Sequence, residues 1–211
     1  VIRGEQENRI VPALEQWGRG EPPRRVPGIS YRDGGGVGDT GPGGPIEDLD
    51  ALPFPDRSLL PSPRYHNPKL SRQPFTTLVA SRGCSGGCYY CVPNSQSFAR
   101  EIDHKRHAGD RCAKPPVRLR SAANVVAELE MLARRGYRAF SFIDDQFPWG
   151  AARTREICAG LRPLGMEWSC LARADRLLDA DTVQEMGRAG CRYVDVGIES
   201  FQQEILDYIG K

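Results

Sequence analysis

No apolar run among the 211 residues approaches the roughly 20 that a membrane-spanning helix needs. No basic-then-apolar leader precedes the cysteines, and neither end reads as a lipid anchor. An excess of charge of one sign is missing too: 29 Lys and Arg face 27 Asp and Glu, a net charge of +2. The whole chain therefore has no electrostatic case for binding nucleic acid or an acidic membrane. An even cysteine count is also lacking. There are seven, three of them clustered, which argues against a disulfide framework and for a reducing, cytoplasmic setting. Internal repeats are absent. The length itself allows one or two domains with a real core, so an enzyme is permitted.

Proline and glycine are unevenly spread. Ten of the 17 prolines lie at or before Pro63, and 11 of the 23 glycines at or before Gly44, so the first 70 residues differ from the rest and read as connecting material. Within them Glu7 to Trp17 can form a short helix, and "GISYRDGGGVGDTG" reads as two short strands around a glycine turn. From Phe75 onward short apolar runs alternate with helical patterns, which predicts an α/β fold with βα units around a parallel sheet. Four units can be counted. Their strands are Phe75 to Ser81, Ala139 to Ile143, Glu167 to Ala172 and Tyr193 to Ile198. The first three helices run from about Ser121 to Arg135, Ala151 to Leu164 and from Asp181 to just before Gly190. Ser121 is the expected N-cap of the first, and Gly136 its left-handed C′ residue. Ser200 and Gln203 have the spacing of a capping box for a fourth. In parallel βα architectures chemistry collects in the loops at the C-terminal strand ends. Polar residues fall at all four of them: the cysteine loop, then Asp144 and Asp145, then Arg173 and Asp175, then Glu199 and Ser200.

The loop reads "GCSGGCYYC", with Cys84, Cys88 and Cys91 in a C-x-x-x-C-x-x-C spacing among glycines that let the backbone fold tightly. Thiolates select zinc, copper(I) or iron–sulfur clusters. Zinc needs a fourth ligand, for which His104, His107 and Cys112 are eligible, although structural zinc normally brings its ligands as two paired knuckles. Three ligands in one loop suit a cubane of four irons better, because one iron then stays open. Buried free cysteines are the third alternative; Cys112, Cys158, Cys170 and Cys191, scattered along the chain, read as such packing residues.

At this point the sequence resembles the radical SAM superfamily, whose signature C-x-x-x-C-x-aromatic-C is met by Cys84, Cys88, Tyr90 and Cys91. The resemblance implies a four-iron four-sulfur cluster whose unique iron chelates S-adenosylmethionine and whose electron cleaves it to a 5′-deoxyadenosyl radical. It implies a partial (βα) barrel, truncated to about four units and preceded by an irregular linker. Tyr90 would neighbour the adenine. Asp144 and Asp145 stand where the superfamily usually has a Gly-Gly-Glu-like segment holding the ligand's ammonium, here without the glycine pair. Arg173 could clasp the ligand carboxylate, with a structural pairing to Asp175 or Asp145 as the alternative. Glu199 falls where the family offers contacts to the ribose, or else it is a charge at a helix start.

Further segments, among them "SRGC", "RSAANVVAELEML", "FIDDQF", "RADRL", "MGRAGCRYVDVGIES" and "ILDYIGK", are similar to the branch that carries an N-terminal cobalamin-binding domain. The implied organisation is a C-terminal remnant of that domain over residues 1–20, a linker with a short hairpin over 21–74, and the N-terminal two-thirds of the radical SAM core over 75–211. Cobalamin would be bound mainly by a domain missing from a chain whose ends both read as cut. If so, the fourth strand should expose an unpaired edge. The branch's common reaction is methyl transfer to an unactivated centre of a small-molecule substrate, with an electron donor such as flavodoxin or ferredoxin as partner. Ring closure, methylthio transfer, or a non-catalytic zinc-stabilised interaction module are the alternatives. Residues 92–120 hold seven Lys or Arg against three acidic residues, a basic stretch that could meet an anionic substrate. It lacks the aromatic interleaving of a nucleic-acid groove.

Overall fold

Residues 1–61, 64–85, 88, 105, 107, 109 and 116–211 are described by the computed structural model. They fall into two units, Val1–Asp48 with Gly87–Pro116, and Leu49–Gly86 with Val117–Lys211. Tyr90, Cys91, His104 and Cys112 lie outside the described residues.

The first unit holds helix α1 (Ile10–Gly18) and an antiparallel hairpin of β1 (Ser30–Asp33) and β2 (Gly36–Asp39), the hairpin that the glycine turn predicts. Its small core is Ala13, Val26 and Ile29. Much of its order is polar. The guanidinium of Arg9, 2% exposed, donates to the carbonyls of Arg3 and Gly44. A Cβ on Gly43 would come within 2.0 Å of that guanidinium; a cation buried this deeply is tolerable because backbone oxygens surround it.

The second unit is built on a four-stranded parallel sheet, β3 (Phe75–Leu78), β6 (Ala139–Phe142), β7 (Glu167–Arg173) and β8 (Cys191–Gly197), in that spatial order. Between β3 and β6 a short antiparallel pair, β4 (Ser81–Arg82) with β5 (Arg118–Leu119), closes the base of the segment that carries the cysteines. The helices are α2 (Ala122–Arg134), α3 (Ala151–Leu161), α4 (Ala180–Arg188) and α5 (Gln203–Ile209). Strand residues alternate between faces. Leu78, Phe140, Phe142, Trp168 and Cys170 pack with Val125, Leu129, Leu132, Ile157 and Leu161 of α2 and α3. Phe142 stacks on Phe147 at 3.9 Å and meets Trp168 edge-on at 5.5 Å, geometries that aromatic quadrupoles favour.

Ser121 caps α2 as expected, its Oγ accepting from Asn124 N at 3.1 Å, and Gly136 follows with φ +90°. Three local expectations are corrected. The first strand stops at Leu78 rather than Ser81, because the Asp144 carboxylate captures the Ala80 amide at 2.8 Å and the chain turns into β4. Helix α3 gives way to a 3₁₀ turn at Arg162–Leu164, where Pro163 has no N–H to continue the ladder. Ser200 forms no capping box: its Oγ accepts from Gln202 N at 3.1 Å, and α5 starts one residue beyond Gln202.

The stretch before β3 is lashed to this unit. Arg57 and Arg120 both meet Glu128, which is 1% exposed, at 2.8 and 2.6 Å. Arg57 also donates to Thr76 Oγ1 and the Thr77 carbonyl. Ser71 and Arg72 donate to Glu167 at the start of β7, and Lys69 pairs with Asp195 at 2.7 Å. Among the described residues β8 pairs on one side alone, with β7.

Candidate functional site

The C-terminal strand ends carry the polar residues, and their side chains divide into two groups. Asp144, at the end of β6, is 2% exposed and fully engaged. Its Oδ1 accepts from Ala80 N at 2.8 Å, its Oδ2 accepts from the Ser81 hydroxyl, and that hydroxyl in turn accepts from Trp149 Nε1 at 3.1 Å. Burial raises its carboxyl to about 7, although the Ser81 and Ala80 donors and the Arg153 guanidinium pull the other way. Arg153, in the first turn of α3, donates to the carbonyls of Ala80 at 3.0 Å and Arg120 at 2.9 Å. Together Asp144 and Arg153 bolt the β4–β5 pair, and so the root of the cysteine segment, onto the end of the sheet. Sequence reasoning missed Ser81, Trp149 and Arg153 in this role, since nothing in their spacing ties them to Asp144.

Asp145, the next residue, is exposed. Arg173 ends β7, and its Nε donates to Asp175 Oδ1 at 2.9 Å, one of the two pairings the sequence left open. Arg173 is the register partner of Gly197 on β8. Two residues on, Glu199 has φ +64°, the one positive φ of a non-glycine among the described residues. That conformation is uncommon for a side chain with a Cβ and clusters at functional sites. Its carboxylate folds back to Lys211 Nζ at 3.0 Å and lies over Gly197, where a Cβ would meet Glu199 Oε1 at 2.6 Å. Arg173 and Glu199 thus sit on neighbouring strand ends, while the Asp144 side chain is spent on the loop root.

Cys84 follows β4 and is exposed; Cys88 is half-buried. A shared cluster needs the three sulfurs to converge, and that convergence involves Cys91, which lies outside the described residues. Gln146 approaches Cys84: its Oε1 is 3.9 Å from the Cys84 Sγ, its side chain is 0% exposed, and its Nε2 has no hydrogen-bond partner among the described residues. A buried amide nitrogen left unpaired is costly. Among the described residues no group of three His, Cys, Asp or Glu side chains is arranged to hold a metal. Cys158 and Cys170 are buried in the core, and burial raises the Cys158 thiol to about 12. That is the packing role expected of them.

On the sheet face opposite the helices lies an open cleft of about 310 Å³. Thr77, Ser141, Ile143, Ser169, Leu171 and Asp195 line it. Ser141 and Ser169 share a 2.6 Å hydrogen bond there, and Asn67 Nδ2 donates to Ser141 Oγ at 3.0 Å. In a parallel βα fold this is the barrel-inner face. No helix among the described residues is long and apolar enough to cross a membrane.

The chain has known relatives. It is 28% identical to an uncharacterised methyltransferase of Pyrococcus horikoshii across all of its own length and 42% of that protein. It is also 28% identical to the bacteriochlorophyllide d C-12(1)-methyltransferase of Chlorobaculum tepidum over 175 residues, 79% of this chain and 33% of that one. It therefore spans less than half the length of either. Its fold matches the radical S-adenosylmethionine methyltransferase TsrM of Kitasatospora setae, solved with cobalamin and a [4Fe-4S] cluster, at a TM-score of 0.68 and 17% identity, covering 97% of this chain and 39% of that one. The TsrM structure with tryptophan and a SAM analogue gives a TM-score of 0.67, again at 17% identity, over 97% and 38%. The sequence profile of the Radical SAM superfamily matches residues 78–211, a span that contains the cysteine triplet and most of the parallel sheet, and the chain belongs to that superfamily.

Proposed function

We propose that this chain is the cluster- and S-adenosylmethionine-binding part of a cobalamin-dependent methyltransferase, with Cys84, Cys88 and Cys91 as the ligands of a four-iron four-sulfur cluster. The donor set fits that group: thiolates are soft ligands, and the orphaned amide of Gln146 stands beside one of them. When bound, the cluster supplies an open iron and the electron that cleaves S-adenosylmethionine to a 5′-deoxyadenosyl radical, while cobalamin, held mainly outside this chain, carries the methyl group.

The chain's own residues bind and orient. Asp145, exposed beside the buried Asp144, takes the ligand's ammonium. Arg173 presents a planar guanidinium to its carboxylate, exchanging Asp175 for it. Glu199 accepts from the ribose hydroxyls, and Tyr90 packs against the adenine. The inner-face cleft, with its serine pair and Asp195, admits part of a small-molecule substrate. Methyl transfer is supported by the two sequence relatives, both named as methyltransferases. The electron comes from a small donor of the flavodoxin or ferredoxin kind, in the cytoplasm.

The observation that carries this reading is the placement of Cys84 just past a short β-pair bolted to the C-terminal end of a parallel sheet, in the span matched by the superfamily. Anaerobic reconstitution with iron and sulfide tests it. A brown, air-bleached chromophore that is lost in Cys88→Ala, and 5′-deoxyadenosine release on reduction with S-adenosylmethionine, are expected. Colourless protein holding stoichiometric zinc would overturn it.

A further inference from the structure

Gln146 is buried completely, yet half of its amide is idle. Its backbone is held on both sides: the Ser81 hydroxyl lies 3.4 Å from its carbonyl, and the next amide, Phe147 N, donates to Leu171 O at 2.9 Å. The side chain therefore starts from a backbone held at two points, in the stretch that follows β6. Its Oε1 lies 3.9 Å from Cys84 Sγ. In the metal-free protein the thiol S–H can donate to that oxygen. A cysteine that ligates a metal has lost this proton, so its sulfur can only accept. The oxygen then faces a second acceptor, while the amide N–H of the same side chain has no hydrogen-bond partner among the described residues. A half-turn of the amide about its last torsion exchanges the two atoms and relieves both defects; oxygen and nitrogen are nearly equal in size, so the turn needs no repacking.

We propose that Gln146 is a positioning residue for the cluster: on ligation its amide turns and donates N–H to the Cys84 sulfur. The inference rests on the reading of Cys84 as a cluster ligand. Hydrogen bonds to cluster sulfurs, like burial and net charge, set the reduction potential. An N–H donor stabilises the reduced cluster, the more negative of the two redox states, and so raises its potential. The proton stays on nitrogen and no group is transferred; the single electron comes from the external reductant. Gln146 would then adjust how readily the cluster accepts the electron that the reaction consumes.

The test is an EPR-monitored redox titration of the reconstituted chain and its Gln146→Met variant, which keeps the length and bulk of the side chain and removes the donor. At any fixed potential near the midpoint, the ratio of reduced to oxidised cluster should fall about tenfold in the variant, a shift of about 59 mV for one electron. Iron content per chain should be unchanged. Equal midpoints with equal iron content would overturn the inference and leave the cluster reading intact. Absence of a cluster in the unsubstituted chain would sink the cluster reading instead. Should Gln146→Met fail to fold, pulsed EPR on reduced protein labelled with ε-¹⁵N-glutamine decides. In a Gln96→Ala background, which removes the one glutamine shortly after the triplet, a ¹⁵N coupling is expected. Its absence refutes the contact.

Discussion

Replacing Asp144 with Asn separates a loop anchor from a ligand contact. The amide has the carboxylate's shape but does not ionise. Its Oδ1 can keep the bond from Ala80 N, and its Nδ2 can donate to Ser81 Oγ, whose hydroxyl is free to swing to the Gln146 carbonyl 3.4 Å away. What changes is the cost of burying a charge. Burial raises the Asp144 carboxyl from 3.8 to about 7. At 1.36 kcal/mol per unit, keeping it charged costs on the order of 4 kcal/mol of stability above pH 7. Because the folded value lies above the unfolded one, the native protein is favoured while the group is protonated. Its stability is complete below about pH 4, is lost as pH rises, and levels off above about 7. Urea unfolding of both proteins at unit steps from pH 4 to 9 reads this directly. The Asn variant should match the parent at the acid end and gain on it steadily up to about pH 7. Its affinity for S-adenosylmethionine should stay within about threefold of the parent's. Parallel stability curves, or an Asn variant that loses ground as pH rises, would refute the burial argument. Loss of S-adenosylmethionine binding would return the ligand role to Asp144.

Three other outcomes follow from the same geometry. Asp145→Asn should weaken S-adenosylmethionine binding about tenfold or more, because a charge-assisted contact is lost; isothermal titration of reconstituted protein measures it, and unchanged affinity would contradict the role. Glu128→Ala strands the guanidinium groups of Arg57 and Arg120 and should cost about 3–5 kcal/mol, roughly 6–20 °C in melting temperature for a chain of this size; calorimetry reports it, and a drop below about 2 °C would contradict the burial of that triad. Gly190→Ala places a Cβ 2.2 Å from the Met166 carbonyl oxygen at a φ of +98°. Both the clash and the backbone conformation oppose it, so more than about 1 kcal/mol should be lost in chemical denaturation.

The order of strands and helices, the Ser121 cap, the Gly136 turn and the clustering of polar residues at strand ends were legible in the sequence, because period, capping chemistry and positive-φ glycines are local properties. So was the cysteine triplet, whose spacing within nine residues is itself the signal. What each strand-end residue does was decided by the tertiary structure. Asp144 and Asp145 are neighbours in "FIDDQF", yet one closes on Ala80 and Ser81, more than 60 residues earlier, and the other is exposed. Gln146 and Cys84 meet only because the β4–β5 pair brings them together. Burial and hydrogen-bond partners across such separations depend on packing, which no local pattern encodes. The same holds for Arg57 and Glu128: a linker arginine and a helix glutamate that no local pattern singles out are buried together by the fold.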